Sequence, residues 1–152
     1  MTQEEIKELI DFEQQIQWRW SCGDWKGYGD ALAEDVVYVD PLAKQFLVGR
    51  EAVRKHFESI MPDGPTGIVR QEYHNEKARV LSENEVLLTF AFTTYKKDEK
   101  GNEVLFLSWN MSLTFRKTDG KWLLTLGHLS LRNAFDMKSI PRLQEMWKKD
   151  SL

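Results

Sequence analysis

The chain has 152 residues, 41% hydrophobic and 30% charged, with a formal net charge of -3. That is long enough for one domain with a real core, and too apolar for a disordered or fibrous chain. The acidic balance gives no basic face for nucleic acid. The longest mostly apolar stretch, Val86 to Phe92, falls far short of the roughly 18 to 20 residues that cross a bilayer. The acidic start Met1-Thr2-Gln3-Glu4-Glu5 has no signal-peptide pattern, so the expected location is cytoplasmic, away from any membrane.

Thr2 followed by Glu5 is a capping-box pattern, and an apolar stripe runs on through Ile6, Leu9, Ile10, Ile16 and Trp20. This predicts a first helix from about residue 3 to 21, stopped at Gly23. Cys22, the one cysteine, has no disulfide partner and reads as structural. Asp24 is placed to cap a second, weaker helix through Ala33, whose Gly27 and Gly29 permit close approach of another element. Val36 to Val39 reads as a strand stopped at Pro41, and Phe46-Leu47-Val48 as a second short strand. Gly49 and Arg50 open a third helix carrying Val53, His56, Phe57 and Ile60.

Met61 to Gly67, with two prolines and two glycines, reads as a loop. Beyond it the apolar period becomes two, predicting strands at about 69 to 81, 85 to 96, 103 to 117 and 121 to 132. Their short connections make an antiparallel meander. Ser139 before Pro141 predicts a last short helix with Ile140, Leu143 and Trp147. In the third long strand Leu105, Leu107, Trp109, Met111, Leu113 and Phe115 share one side, expected to cover the helices. The other side, Val104, Phe106, Ser108, Asn110, Ser112 and Thr114, is expected to pack on a second copy of the chain as a homodimer.

Asp40 is the position that looks placed for chemistry. It closes the Val36 to Val39 strand, where burial raises a carboxyl's pKa and suits it to act as a base. The alternation leaves either face open to it, and Asp-Pro also starts turns in which the side chain bonds local amides. Glu13 falls inside the apolar stripe of the first helix, with Gln17 as its companion, either satisfied by a neighbour or catalytic. His128 shares a strand side with Trp122, Leu124 and Leu126 and is either an acid/base partner of Asp40 or a packed core residue. Trp20, Tyr38, Trp109 and Met111 either wall a pocket for a flat ligand or fill the core. Three scattered histidines make no metal site, and no cofactor motif is present.

Several of these pieces together resemble the nuclear-transport-factor-2-like superfamily. They are Gly23-Asp24-Trp25 after a long helix, Ala33-Glu34-Asp35-Val36-Val37-Tyr38-Val39-Asp40-Pro41, Gly49-Arg50-Glu51-Ala52-Val53, and Phe115-Arg116-Lys117 with Asp119-Gly120-Lys121-Trp122 and His128. The resemblance implies one SnoaL-like domain over 1–152, of class α+β, in which a cone-shaped curved antiparallel sheet wraps around N-terminal helices in the cystatin-like manner. Within the superfamily the chain resembles SnoaL-like polyketide cyclases, ketosteroid isomerases and the association domain of the calcium/calmodulin-dependent kinase. The likeness to the isomerases places Asp40 at their proton-shuttling aspartate. It places Ile16 and Met111 where those enzymes carry two hydrogen-bond donors, and neither side chain donates, which argues against steroid isomerisation by that route.

The expected function is binding of a small apolar or aromatic molecule, with Asp40, His128 and Glu13 as catalytic candidates and Ile16, Gln17, Trp20, Tyr38, Trp109 and Met111 as ligand contacts. The reaction would be an isomerase, cyclase or dehydratase (lyase) step on a carbonyl or hydroxyl compound. The alternative is a non-catalytic ligand-binding or association domain.

Overall fold

The computed structural model describes residues 1–61 and 63–133. The helix expected around Ser139 to Trp147 lies outside them. In chain order the elements are α1 (Gln3–Ser21), α2 (Lys26–Asp30), β1 (Leu32–Val39), β2 (Leu47–Val48), α3 (Arg50–Ile60), β3 (Ile68–Val80), β4 (Glu85–Lys97), β5 (Glu103–Thr118) and β6 (Lys121–Leu131). No helix among the described residues is long and apolar enough to cross a membrane.

α1 starts where the capping box places it: Glu5 N donates to Thr2 Oγ1 at 3.1 Å, and Thr2 N donates back to Glu5 Oε2 at 2.8 Å. Its buried face carries Leu9, Glu13, Ile16 and Gln17, spaced as one helical stripe. α2 is shorter than expected. It stops at Asp30 because Leu32 and Ala33 are buried in β1, where Leu32 registers against Leu124. Long-range strand pairing there overrides the helical reading. Asp24 bonds Lys26 N at 3.0 Å from outside the helix, and Trp25 occupies the cap position. The close approach of another element expected at the glycines occurs at Gly27, where a Cβ would lie 3.3 Å from Arg19 of α1, while at Gly29 it would lie 2.6 Å from the ring of Trp25, the helix's own cap residue.

The six strands form one curved sheet in the order β2-β1-β6-β5-β4-β3. β3 to β6 are the expected antiparallel meander, but β1 joins β6 in parallel, so the sheet is mixed. Its concave face packs on the helices through Val53 and Phe57 of α3 and Leu88, Phe90, Leu113 and Phe115 of the sheet. Two bulges break the side-chain alternation. Thr94 opposes Leu107 and Tyr95 opposes Leu105, leaving Phe106 as an extra residue on β5. Likewise Thr114 opposes Leu126 and Phe115 opposes Leu124, leaving Thr125 extra on β6. An extra residue exchanges the faces of everything beyond it. Leu105 therefore leaves the inner set expected for it and stands half exposed.

Candidate functional site

A cavity of about 310 Å³ lies between the helices and the concave face of the sheet. Its wall includes Trp20, Phe57, Phe92, Trp109, Met111 and Leu113. Phe92 and Trp109 are stacked at 6.4 Å with planes 10° apart, and Trp20 meets Phe57 edge-on at 5.0 Å. Gln17, Trp20, Tyr38, Trp109 and Met111, all expected as ligand contacts, line this one space. Ile16 does not line it, because the pitch of α1 turns it into the core beside Leu9.

Asp40 enters the cavity on the face of β1 shared by Val36 and Tyr38, all three buried. Both readings of this residue hold at once. Oδ1 accepts Leu42 N at 2.8 Å and Ala43 N at 3.0 Å, which is the local turn. Oδ2 accepts Tyr38 Oη at 2.9 Å and meets His56 Nε2 at 2.8 Å. Four partners fill the lone-pair sites of both oxygens. His56 was a minor feature of the sequence. The signal that marks it is its place on α3 beside Phe57, within the stripe that faces the sheet.

A second polar group lies deeper. Glu13, fully buried on α1, has Oε1 2.6 Å from Tyr28 Oη, and the same hydroxyl lies 2.8 Å from Gln17 Oε1. Burial pushes the Glu13 carboxyl up to about 8, the Tyr28 bond offsets part of this, and the nearby charge of Glu76 adds to it. Burial also holds the Tyr28 hydroxyl well above the usual tyrosine range, as it does for Tyr38, where the charge of Asp40 adds. Tyr28 was not legible as a site residue. Its cue is the flanking pair Gly27 and Gly29, which let this short helix sink against Arg19 and Trp25.

His128 is not brought to Asp40. The Thr125 bulge turns it to the outer face, exposed and edge-on to the Phe46 ring at 5.7 Å, while Gly127 and Leu129 take the inner positions. Among the described residues no cluster of His, Cys, Asp and Glu has the arrangement of a metal site.

N-terminal helices laid in a curved sheet around an apolar cavity are the architecture of nuclear-transport-factor-2-like, cystatin-like proteins. The chain belongs to the SnoaL-like domain family, whose sequence profile matches residues 12–124. No curated protein matches. Among solved structures the fold is similar to that of an NTF2-like protein of unknown function from Pseudomonas putida, at a TM-score of 0.72 and 18% identity over 91% of this chain and 93% of that one. It is similar to a ketosteroid isomerase-like protein from Erwinia carotovora (TM-score 0.66, 14% identity, 86% and 98% covered). It is also similar to the association domain of C. elegans CaMKII (TM-score 0.68, 15% identity, 86% and 96% covered). At these identities the likeness establishes the fold alone.

Proposed function

We propose that the protein binds a small, largely apolar or aromatic molecule carrying an oxygen function inside the cone. The observation that carries this reading is a cavity with aromatic walls and a few fixed polar groups, the composition that gives a ligand contact area and orientation together.

Proton transfer without a cofactor is a second reading, favoured by one observation. Asp40 lines the cavity, and the buried carboxyl Glu13 stands behind its wall, joined to it through the lining residue Tyr28, so two carboxyl groups in different surroundings are available for acid and base roles. A substrate that displaces Tyr38 or His56 from Oδ2 exposes a base beside its own C–H, and Glu13 returns a proton through Tyr28. That is an isomerase or lyase step.

A thermal-shift screen of steroids, planar ketones and polyketide-like aromatics tests binding, and deuterium incorporation from heavy water into any hit tests proton transfer. The expected result is stabilisation by a subset of compounds, with exchange in the natural protein and none in Asp40→Asn. Failure of every compound to raise Tm removes the binding reading. Stabilisation without exchange leaves binding and removes catalysis.

We also propose that the convex face of the sheet meets a second copy of the chain. Leu105, turned outwards beyond the bulge and half exposed, supports this. Light scattering that finds only monomer at micromolar concentration removes it.

A further inference from the structure

Most polar side chains around the cavity are already committed to the protein. Ser21 Oγ donates to Gln71 Oε1 at 2.7 Å, Thr66 Oγ1 to the Ser21 carbonyl at 2.5 Å and Thr94 Oγ1 to the Leu107 carbonyl at 3.2 Å, while Asp40 is filled by four partners. Gln17 differs. Its Oε1 faces Tyr28, and its amide NH2 has no acceptor among the described residues although the side chain lines the cavity. The NH2 is not one of the buried unpartnered atoms of the described residues, so it opens onto the cavity, where the oxygen of a guest can accept from it.

What holds the amide in that sense is a count of protons. The Tyr28 hydroxyl has one hydrogen, yet it sits 2.6 Å from Glu13 Oε1 and 2.8 Å from Gln17 Oε1. Both contacts are hydrogen bonds only when Glu13 is neutral and donates to Tyr28, which then donates to Gln17. If Glu13 loses its proton, the Tyr28 hydrogen turns to the carboxylate. Gln17 then bonds Tyr28 only by rotating its amide, so that NH2 donates to the tyrosine oxygen and Oε1 faces the cavity.

The surroundings favour the neutral acid. Glu13 is faced by Tyr28 from α2, by Tyr73 and Glu76 from β3, and by Gln17 on its own helix, while Gln14 donates to Glu76. Glu76 is the charged group that acts on it, and it is acidic. Glu13 Oε2 and the Tyr73 hydroxyl are both buried without a partner in bonding geometry, and the approach of that hydroxyl, like the Tyr28 bond, offsets only part of the push from burial. Among the described residues no cation acts on Glu13, so ionising it would place a buried charge there with only hydroxyl groups to receive it.

We infer that Gln17 contacts the oxygen of the bound molecule, and that Glu13, acting through Tyr28 as a positioning residue, sets which end of the Gln17 amide faces it. With Glu13 neutral the inner end of the cavity is a donor and takes a carbonyl or ether oxygen. With Glu13 ionised it becomes an acceptor, which a ketone cannot satisfy and an alcohol can. This rests on the small-molecule reading above and names the ligand class that reading leaves open.

The test uses 1-tetralone and its alcohol, 1-tetralol, as a matched pair, with binding measured by calorimetry at about pH 6 and about pH 9. One pH unit above the Glu13 midpoint only about a tenth of the protein holds the neutral acid, so ketone affinity falls about tenfold between the two conditions while alcohol affinity changes little. Glu13→Gln, whose amide donates to Tyr28 at any pH, keeps its ketone affinity in both. Tyr28→Phe, which breaks the relay, binds ketone more weakly with no pH dependence. A tenfold ketone loss that persists in Glu13→Gln, or no loss in the natural protein, overturns the inference while leaving binding intact. Binding of neither compound overturns the small-molecule reading and the ligand contact with it. A titration of the free natural protein by NMR needs neither ligand nor variant: the Gln17 side-chain amide must shift with the same midpoint as the Glu13 carboxyl, and an amide indifferent to that titration refutes the coupling on its own.

Discussion

Gly127 on β6 and Tyr38 on β1 fit each other so closely that a methyl group on the glycine would lie 2.6 Å from Cδ2 of the ring. The ring fills the space a side chain would occupy, and that placement brings the Tyr38 hydroxyl to Asp40. Gly127→Ala forces the ring aside in a packed core. The expected cost is roughly 1 to 3 kcal/mol, the usual range for overpacking, read as a lower urea midpoint with an unchanged slope. An unchanged midpoint would show that the ring has room to move.

Asp40 should matter more to stability than its partner His56. Asp40→Ala strips an acceptor from the buried Tyr38 hydroxyl and from the amide of the exposed Leu42, while the Ala43 amide keeps the Asp40 carbonyl at 3.1 Å. At about 1 to 3 kcal/mol for the Tyr38 donor left buried and unpaired, with the lost turn bonds adding about 1 kcal/mol, the loss is about 2 to 4 kcal/mol. His56→Ala leaves Asp40 with three donors and should cost less, on the order of 1 to 2 kcal/mol. Denaturant melts of the two variants check the ranking, and equal losses would contradict it.

Glu13 gives the fold a pH dependence of definite sign. Its carboxyl is raised from 4.5 to about 8 in the folded chain, so between those values the folded state keeps a proton that the unfolded state has released. Stability from this group is complete below about pH 4.5 and is lost as pH rises through 8, a fall on the order of a few kcal/mol. Glu5, Asp24, Asp35 and Glu72 have lowered values and act in the opposite sense, but only below the ordinary carboxylate range and at exposed positions. Urea midpoints should therefore decline from pH 5 to pH 8 in the natural protein and flatten in Glu13→Gln. A midpoint that rises across that interval would refute the assignment.

Thr125 is the unpaired residue of the β6 bulge. Deleting it would remove the bulge yet leave Leu124 opposite Phe115 and Leu126 opposite Thr114, so Gly127 and Leu129 keep their inner positions and Tyr38 still meets no side chain. What is lost is the local bend and the hydrogen bond from Thr125 Oγ1 to the Thr114 carbonyl at 3.0 Å. The deletion should therefore still melt cooperatively, at a cost on the order of 1 to 3 kcal/mol, whereas Thr125→Ser, which keeps the residue count and the hydroxyl, should stay within about 1 kcal/mol of the natural protein; loss of cooperative melting in the deletion would contradict this.

These bulges also mark where the sequence stops being readable. The capping box at Thr2 and the stripe from Leu9 to Gln17 are local patterns, and α1 follows them. The meander follows from turn residues such as Asp119-Gly120, where Asp119 itself takes a positive φ of 51°. Face assignment assumed unbroken alternation, so it failed beyond Phe106 and Thr125, where nothing in the residue types announces an extra position. The parallel pairing of β1 with β6 was invisible for a related reason, since it joins segments about ninety residues apart. Asp40 could be singled out because a strand end followed by Pro41 is a local signal. His56 and Tyr28 could not, because their meaning comes from partners on other elements.

That distant pairing governs when the site can exist at all. β1 takes its hydrogen-bonded neighbours from β2 and from β6, the last strand of the described chain. On the ribosome the early segment bearing Tyr38 and Asp40 has to wait, lacking one flank, until residues 121 to 131 have emerged. A nascent chain arrested before Lys121 holds every aromatic wall residue from Trp20 to Trp109 and still encloses nothing, and its unpaired β1 edge is open to a chaperone or to a neighbouring polysome product.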